Sequence, residues 1–122
     1  MAEKKPHKRA TVVVRRSPLN SVLASEGLRQ SVGLVLAPLD ITVLLLDQAA
    51  WLSVPLAPEA IEAPTIKKHI EMLQLLKHRV LVERESLERY GVPADHVLPG
   101  VQVIPARQVA EEIAAADAVI VF

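Results

Sequence analysis

The chain has 122 residues, 51% of them hydrophobic, which is enough for one domain with a real core and excludes disorder over most of its length. Lysine plus arginine and aspartate plus glutamate both number 14, so there is no net charge to attract nucleic acid or an anionic membrane. The chain has no cysteine, which excludes disulfides, thiolate metal sites and thiol catalysis. A neutral chain rich in apolar residues tends to associate, which favours an oligomer.

The amino terminus is basic, but no apolar stretch of signal-peptide length follows it. We therefore predict a basic tail over residues 1–10, a single domain over residues 11–122 and a cytoplasmic location. The longest apolar run, from Val32 to Leu46, is interrupted by Pro38 and Asp40 and falls short of the roughly 18 residues that a membrane span needs. We expect no membrane partner. The tail could touch RNA, but the chain has almost no aromatic side chains to stack on bases, so a nucleic-acid partner is not expected.

Apolar segments alternate with amphipathic ones along the chain. Five segments read as strands: residues 11–14, 40–47, 80–83, 101–104 and 118–122. The segments between them favour helices: from about Asn20 to Leu36, 48–53, 66–76, 84–91 and 106–114. This alternation predicts an α/β fold, a three-layer α/β/α sandwich with a mostly parallel five-stranded sheet, and leaves the strand order open.

Trp51 stands just before a proline-rich stretch from Val54 to Pro64 that is predicted to be irregular. A lone tryptophan in such a place is either a core anchor or an interface hot spot, because tryptophan is enriched in both settings. We predict that Trp51 and this stretch lie near an oligomer contact.

The most informative stretch runs from Val80 to Val92, where a short apolar strand leads into one or two helical turns closed by Gly91. The carboxyl end of such a strand is where α/β domains usually place their sites. Glu83 stands there, followed by Arg84. Two interpretations remain open: Glu83 faces a ligand or partner, or it pairs with a neighbouring arginine or caps the helix.

The first strand-to-helix turn is a second candidate site. Free backbone N–H groups and the helix dipole favour an anion at such a turn. The polar side chains around it are Arg15, Arg16, Ser17, Asn20 and Ser21. The alternative is helix capping beside two solvated arginines. A small molecule or anion held between the ends of the first and third strands is therefore one functional hypothesis.

No motif predicts catalysis, a cofactor or a metal. The histidines make neither an HExxH pair nor another ligand spacing: His7, His69, His78 and His96. The serines of the first turn lack the context of a nucleophile elbow, and no glycine-rich loop forms a P-loop or a dinucleotide fingerprint. We expect no catalytic residue, and an enzyme of unknown reaction ranks last among the hypotheses.

In its layout the chain resembles the DsrE/DsrF family, whose sulfur-relay members include the Tus proteins of tRNA thiolation. The resemblance rests on three features: the first strand running into a Ser-Pro loop and a long helix, the segment Ser86–Val92, and the final stretch Val109–Phe122. In the sulfur-carrying members a cysteine sits just before the segment matching Arg84 to Gly91. Glu83 stands at that place here.

A persulfide relay needs a thiolate that accepts and donates sulfur, and a carboxylate cannot form that intermediate. The resemblance therefore implies a non-catalytic member, closer to DsrF or TusC than to DsrE or TusD. Such a member is expected to be a structural or accessory subunit, either of a homo-oligomer (a trimer or hexamer) or of a hetero-oligomer with DsrE-like paralogues. The alternative is the small-molecule or anion-binding module described above.

Overall fold

The computed structural model describes residues 8–17, 23–33, 39–55 and 63–122. The strands are β1 (Lys8–Val14), β2 (Leu39–Leu45), β3 (Arg79–Glu83), β4 (Gln102–Ile104) and β5 (Ala118–Val121). The helices are α1 (Leu23–Gly33), α2 (Ala63–Leu75), α3 (Arg84–Arg89) and α4 (Ala106–Ala115), with 3₁₀ segments at Asp47–Ser53 and Ala94–His96. In these ranges, no helix combines the length and the hydrophobicity needed to cross a bilayer.

The strands form one sheet in the order β4-β3-β2-β1-β5, and every neighbouring pair is parallel. The predicted α/β fold with a five-stranded sheet is confirmed. β1 begins at Lys8, earlier than the sequence indicated, because its first two residues are charged and exposed and carry no strand pattern. The predicted cap Asn20 and the predicted helix end at Leu36 lie outside the described residues.

One face of the sheet carries most of the core. Val12, Val43 and Val80 occupy matching positions on neighbouring strands and are fully or almost fully buried. The apolar stripe of α2 packs on this face through Ile66, Ile70 and Leu73. Leu76, the predicted last residue of this helix, lies beyond the end of α2 and is 45% exposed.

The opposite face is covered much less completely. A small cluster there joins Val13, Leu44 and Leu81 of the sheet to Ile104 and Val109. Val109 is the buried residue of α4, although other apolar residues, among them Ala110 and Ile113, recur along that helix. One face of the sheet is therefore well covered by packed side chains, and the other is only partly covered.

The turn from β3 into the next helix has no linker. Glu83 is the last residue of β3 and Arg84 the first of α3. The helix ends where Gly91, at φ +65°, takes the left-handed conformation that glycine adopts without strain. The N–H of Gly91 bonds the Glu88 carbonyl at 3.4 Å and that of Val92 bonds the Leu87 carbonyl at 2.9 Å. The predicted stop at Gly91 is confirmed, and it fixes a short α3 at the carboxyl edge of the sheet.

Candidate functional site

A cleft of about 750 Å³ opens at the carboxyl edge of the sheet, next to the ends of β1 and β5. Residues that follow parallel strands converge at this edge. The lining residues are Arg15, Arg16, Asp47, Gln48, Arg89, Tyr90, Val121 and Phe122. Three arginines face one aspartate there, so the cleft is locally cationic although the chain as a whole is neutral.

Asp47 is the centre of the charges in the cleft. Its Oδ2 accepts a hydrogen bond from Arg15 Nε at 2.7 Å, and its Oδ1 lies 3.8 Å from Arg89 Nη1. Its backbone has φ 53°, a left-handed conformation that aspartate tolerates better than most residues. Arg16 is exposed and pairs with no described residue. Its charge is therefore available to a ligand.

Glu83 is connected to this cleft through a buried serine. Ser86, 1% exposed, donates its hydroxyl proton to Glu83 Oε1 at 2.7 Å and accepts the N–H of Asp47 at 2.8 Å. The Glu83 carboxylate makes no capping bond to the backbone of α3. Glu83 occupies the N-cap position of α3 as the cap interpretation predicted, but its side chain bonds Ser86 instead of the helix backbone or a described arginine.

The structure brings together only part of the predicted set. Arg15 and Arg16 line the cleft, whereas Glu83 and Arg84 do not. Ser17 is buried at 7% exposure. The remaining two candidates, Asn20 and Ser21, lie outside the described residues.

Sequence reasoning missed six of the eight residues that line the cleft. Asp47 had a signal, because it closes the most apolar strand of the chain. Ser86 also had one, because a residue three positions after Glu83 on a short helix lies on the same side of it. Arg89 and Tyr90 gave no signal, since they enter the cleft only through the packing of α3 beside the 3₁₀ segment Asp47–Ser53.

A second carboxylate, Glu85, ties α3 to the start of α4. Its Oε2 accepts the backbone N–H of Ala106 at 2.9 Å, and this bond holds the pKa of Glu85 below its ordinary value. The lowered pKa means that the carboxylate is ionised when it makes the contact. Glu85 thus has a structural role and does not line the cleft.

A smaller cleft of about 290 Å³ lies at the amino edge of the sheet. Arg79 there donates two hydrogen bonds to Glu112 of α4, at 2.7 and 2.6 Å, and these raise the pKa of Arg79. His78 accepts the N–H of Ile41 through Nδ1 at 3.1 Å. The Arg79–Glu112 pair holds α4 to the sheet, and the His78 bond holds the turn before β3 to β2. Over the described ranges no group of three His, Asp or Glu side chains could hold a metal ion.

Trp51 is half-buried and packs against the main core. The contact with the core fits the core-anchor interpretation, and the exposed fraction of Trp51 leaves the interface interpretation open. Its place in an oligomer contact stays a prediction.

Comparison with known proteins gives the family. The model of the DsrE/DsrF-like family matches residues 8–122. The YchN protein of E. coli has a similar fold, with a TM-score of 0.82 over 94% of this chain and 99% of that chain at 20% identity. The MTH1491 protein of Methanobacterium thermoautotrophicum gives a TM-score of 0.64 over 95% and 99% at 13% identity. No curated protein matches the sequence significantly. The chain belongs to the DsrE/DsrF-like family.

Proposed function

We propose that this protein is a non-catalytic DsrE/DsrF-like protein that serves as an oligomeric accessory subunit in sulfur relay or related small-molecule handling. The observation that carries the proposal is Glu83. It stands where sulfur-carrying relatives are expected to have their cysteine, and Ser86 holds its carboxylate in place at 2.7 Å. A carboxylate cannot accept sulfane sulfur.

The accessory role needs partners, and two features of the chain support them. The formal net charge is zero, so copies of the chain do not repel one another. Large apolar side chains are exposed on α2, α4 and β5, including Leu75 at 76% and Val121 at 60%. Exposed apolar side chains that stand side by side, as the four residues of β5 do, often mark a protein contact. The assembly is a homotrimer or homohexamer, or a complex with DsrE-like paralogues that carry the cysteine.

Sulfur labelling and native mass together test this proposal. After incubation with a cysteine desulfurase and sulfur-labelled cysteine, the intact mass of the chain should be unchanged. The native mass at micromolar concentration should be several times 13.3 kDa. A stable gain of one sulfur atom would refute the non-catalytic role, and a monomer would refute the homo-oligomer and leave only the complex with paralogues.

The carboxyl-edge cleft supports a second candidate function, the binding of a small anion. Arg16 is exposed and unpaired among the described residues, and Arg15 and Arg89 share a single carboxylate. A charge-assisted hydrogen bond from arginine to an anion contributes about 1.5–3 kcal/mol. An anion that binds Arg15 or Arg89 must displace Asp47, and the loss of those ion pairs offsets part of the gain.

Titration with sulfate and thiosulfate tests the anion site. Arg16→Ala should weaken binding by roughly tenfold, which corresponds to the lower end of that range. Asp47→Asn should strengthen binding, because it removes the competing charge and keeps a side chain that tolerates positive φ. The control is Arg107→Ala, an exposed arginine on α4 outside the cleft. Equal affinity in wild type, Arg16→Ala and Asp47→Asn would exclude the site.

A further inference from the structure

The outer edge of β5 is the least protected part of the described sheet. β5 is the last strand of the sheet and pairs with β1 alone. Its four residues are all apolar and all exposed: Ala118, Val119, Ile120 and Val121. An edge strand of this kind presents unpaired backbone N–H and C=O groups to any other strand that approaches.

The opposite edge of the sheet shows how this chain protects a strand. β4 has three residues, includes the polar Gln102 and is followed directly by Pro105. Short length, polar side chains and proline are the usual means of preventing edge pairing. β5 contains no charged residue and no proline. The β5 edge is therefore open to pairing with another strand, whereas the β4 edge is protected against it.

The apolar surface continues from β5 onto α4. Val119 and Val121 are in register with Thr11 and Val13 of β1, and Val13 packs in the cluster that contains Val109 of α4. Val119 and Val121 therefore lie on the sheet face that α4 covers thinly. Ile113 of α4 is also 36% exposed. A stable interface buries about 800 Å² per partner, more than a four-residue strand provides, and the outer side of α4 offers the additional area.

We propose that the partner of this surface is a second copy of the chain. The two β5 strands pair antiparallel about a two-fold axis, which joins the two sheets into one. A two-fold contact uses the same patch on both copies, and the axis reverses the direction of the second strand. The proposal rests on the oligomeric function proposed above and, because a trimer has no two-fold axis, names a contact of the homohexamer.

Charge at the two ends of β5 suits this arrangement. Asp117 precedes the strand and is exposed, and at the other end the exposed Arg16 lines the cleft together with Val121. Antiparallel pairing sets the amino end of one β5 beside the carboxyl end of the other. Each Asp117 then approaches an arginine of opposite charge, and the contact occurs twice.

Lysine substitutions with a matched control test the contact. Val119→Lys and Val121→Lys place a charge in the proposed interface, whereas Val103→Lys places one on β4 at the opposite edge. Val119 is 42% exposed and Val103 is 41% exposed, so the two changes are equivalent in the isolated chain. Sedimentation equilibrium should show self-association weakened at least tenfold by either β5 change and unchanged by Val103→Lys. Circular dichroism confirms that each variant is folded.

Single-cysteine variants give a second, independent readout, because the chain has no cysteine of its own. Under mild oxidation a cysteine at one position from 118 to 121 should form a disulfide-linked dimer much faster than Val103→Cys does. Assembly that survives both lysine changes, or crosslinking no faster than the control, overturns the β5 contact. If the assembly survives both lysine substitutions but Trp51→Ala dissociates it, the chain still forms an oligomer, and the contact is at Trp51 instead of β5. A wild-type monomer overturns the β5 contact and the homo-oligomer together.

Discussion

Ser86→Ala removes the hydroxyl that connects Glu83 with the cleft. The Oγ of Ser86 serves two partners, as acceptor for the Asp47 N–H at 2.8 Å and as donor to Glu83 Oε1 at 2.7 Å. The Asp47 N–H is part-buried and would lose its acceptor, at a cost of about 1–3 kcal/mol. Glu83 is half-buried, so water replaces its lost donor and the added cost is about 1 kcal/mol or less.

The two costs add to about 1–4 kcal/mol, with a central value of about 2–3 kcal/mol. For a domain of this size each kcal/mol lowers the thermal midpoint by about 4 °C, so the shift should be roughly 10 °C. Urea unfolding followed by circular dichroism gives the free energy, and a thermal scan gives the midpoint. The left-handed conformation of Asp47 should also become less well held, because Ser86 binds its backbone.

Ser31→Ala is the matched control. Ser31 is equally buried, at 0% exposure, but its hydroxyl donates only to the Gly27 carbonyl at 2.8 Å, one turn back in α1. That carbonyl lies within the helix, where the backbone supplies a donor, so its loss should change stability by less than about 1 kcal/mol. If Ser86→Ala and Ser31→Ala lower the free energy of unfolding by the same amount, the second hydrogen bond of Ser86 adds nothing to the stability of the site.

Three further predictions concern single side chains. Glu83→Gln keeps an acceptor for Ser86 and should change the free energy of unfolding by no more than about 1 kcal/mol, while altering binding if Glu83 faces a partner; a loss of several kcal/mol in urea unfolding with unchanged binding would assign it a purely structural role. Glu85 has a lowered folded pKa, so its contribution to stability is present above its unfolded value near 4.5 and is lost as pH falls through the folded value. Thermal scans should accordingly show the largest gap between wild type and Glu85→Gln near neutral pH and a shrinking gap towards pH 3. Trp51→Ala should weaken assembly by about 2 kcal/mol or more if Trp51 is a hot spot, whereas unchanged sedimentation would leave it to the core alone.

Hydrophobic pattern predicted the elements well because the pattern and the core coincide on one sheet face. Ile66, Ile70 and Leu73 recur at helical spacing and are buried against that face. The same pattern predicted more burial on the other sheet face than the structure has. α4 has an apolar stripe by sequence, yet Val109 is its buried member, and no local pattern distinguishes a stripe that packs within the chain from one that remains exposed.

Only part of the candidate site could be predicted, because most of its residues are brought together by contacts between separate elements. Arg15 and Arg16 follow a strand directly, so their position at the carboxyl edge could be deduced from the sequence. The contact between Arg89 and Asp47 joins residues from separate elements and depends on how α3 packs beside the 3₁₀ segment. The partner of Glu83 was missed because a buried serine competed with the more familiar options of an arginine or a helix cap.

The central claim is that Glu83 stands in the place of a sulfur-accepting thiol, and a single substitution tests it. Glu83→Cys supplies the chain with one cysteine at that place, and Val103→Cys supplies one on β4 at a position that is 41% exposed and does not line the cleft. Each variant is incubated with a cysteine desulfurase and sulfur-labelled cysteine, and persulfide is measured by intact mass. We expect labelled sulfur on Glu83→Cys well above Val103→Cys and none on the wild-type chain. Equal labelling of the two variants would contradict the claim.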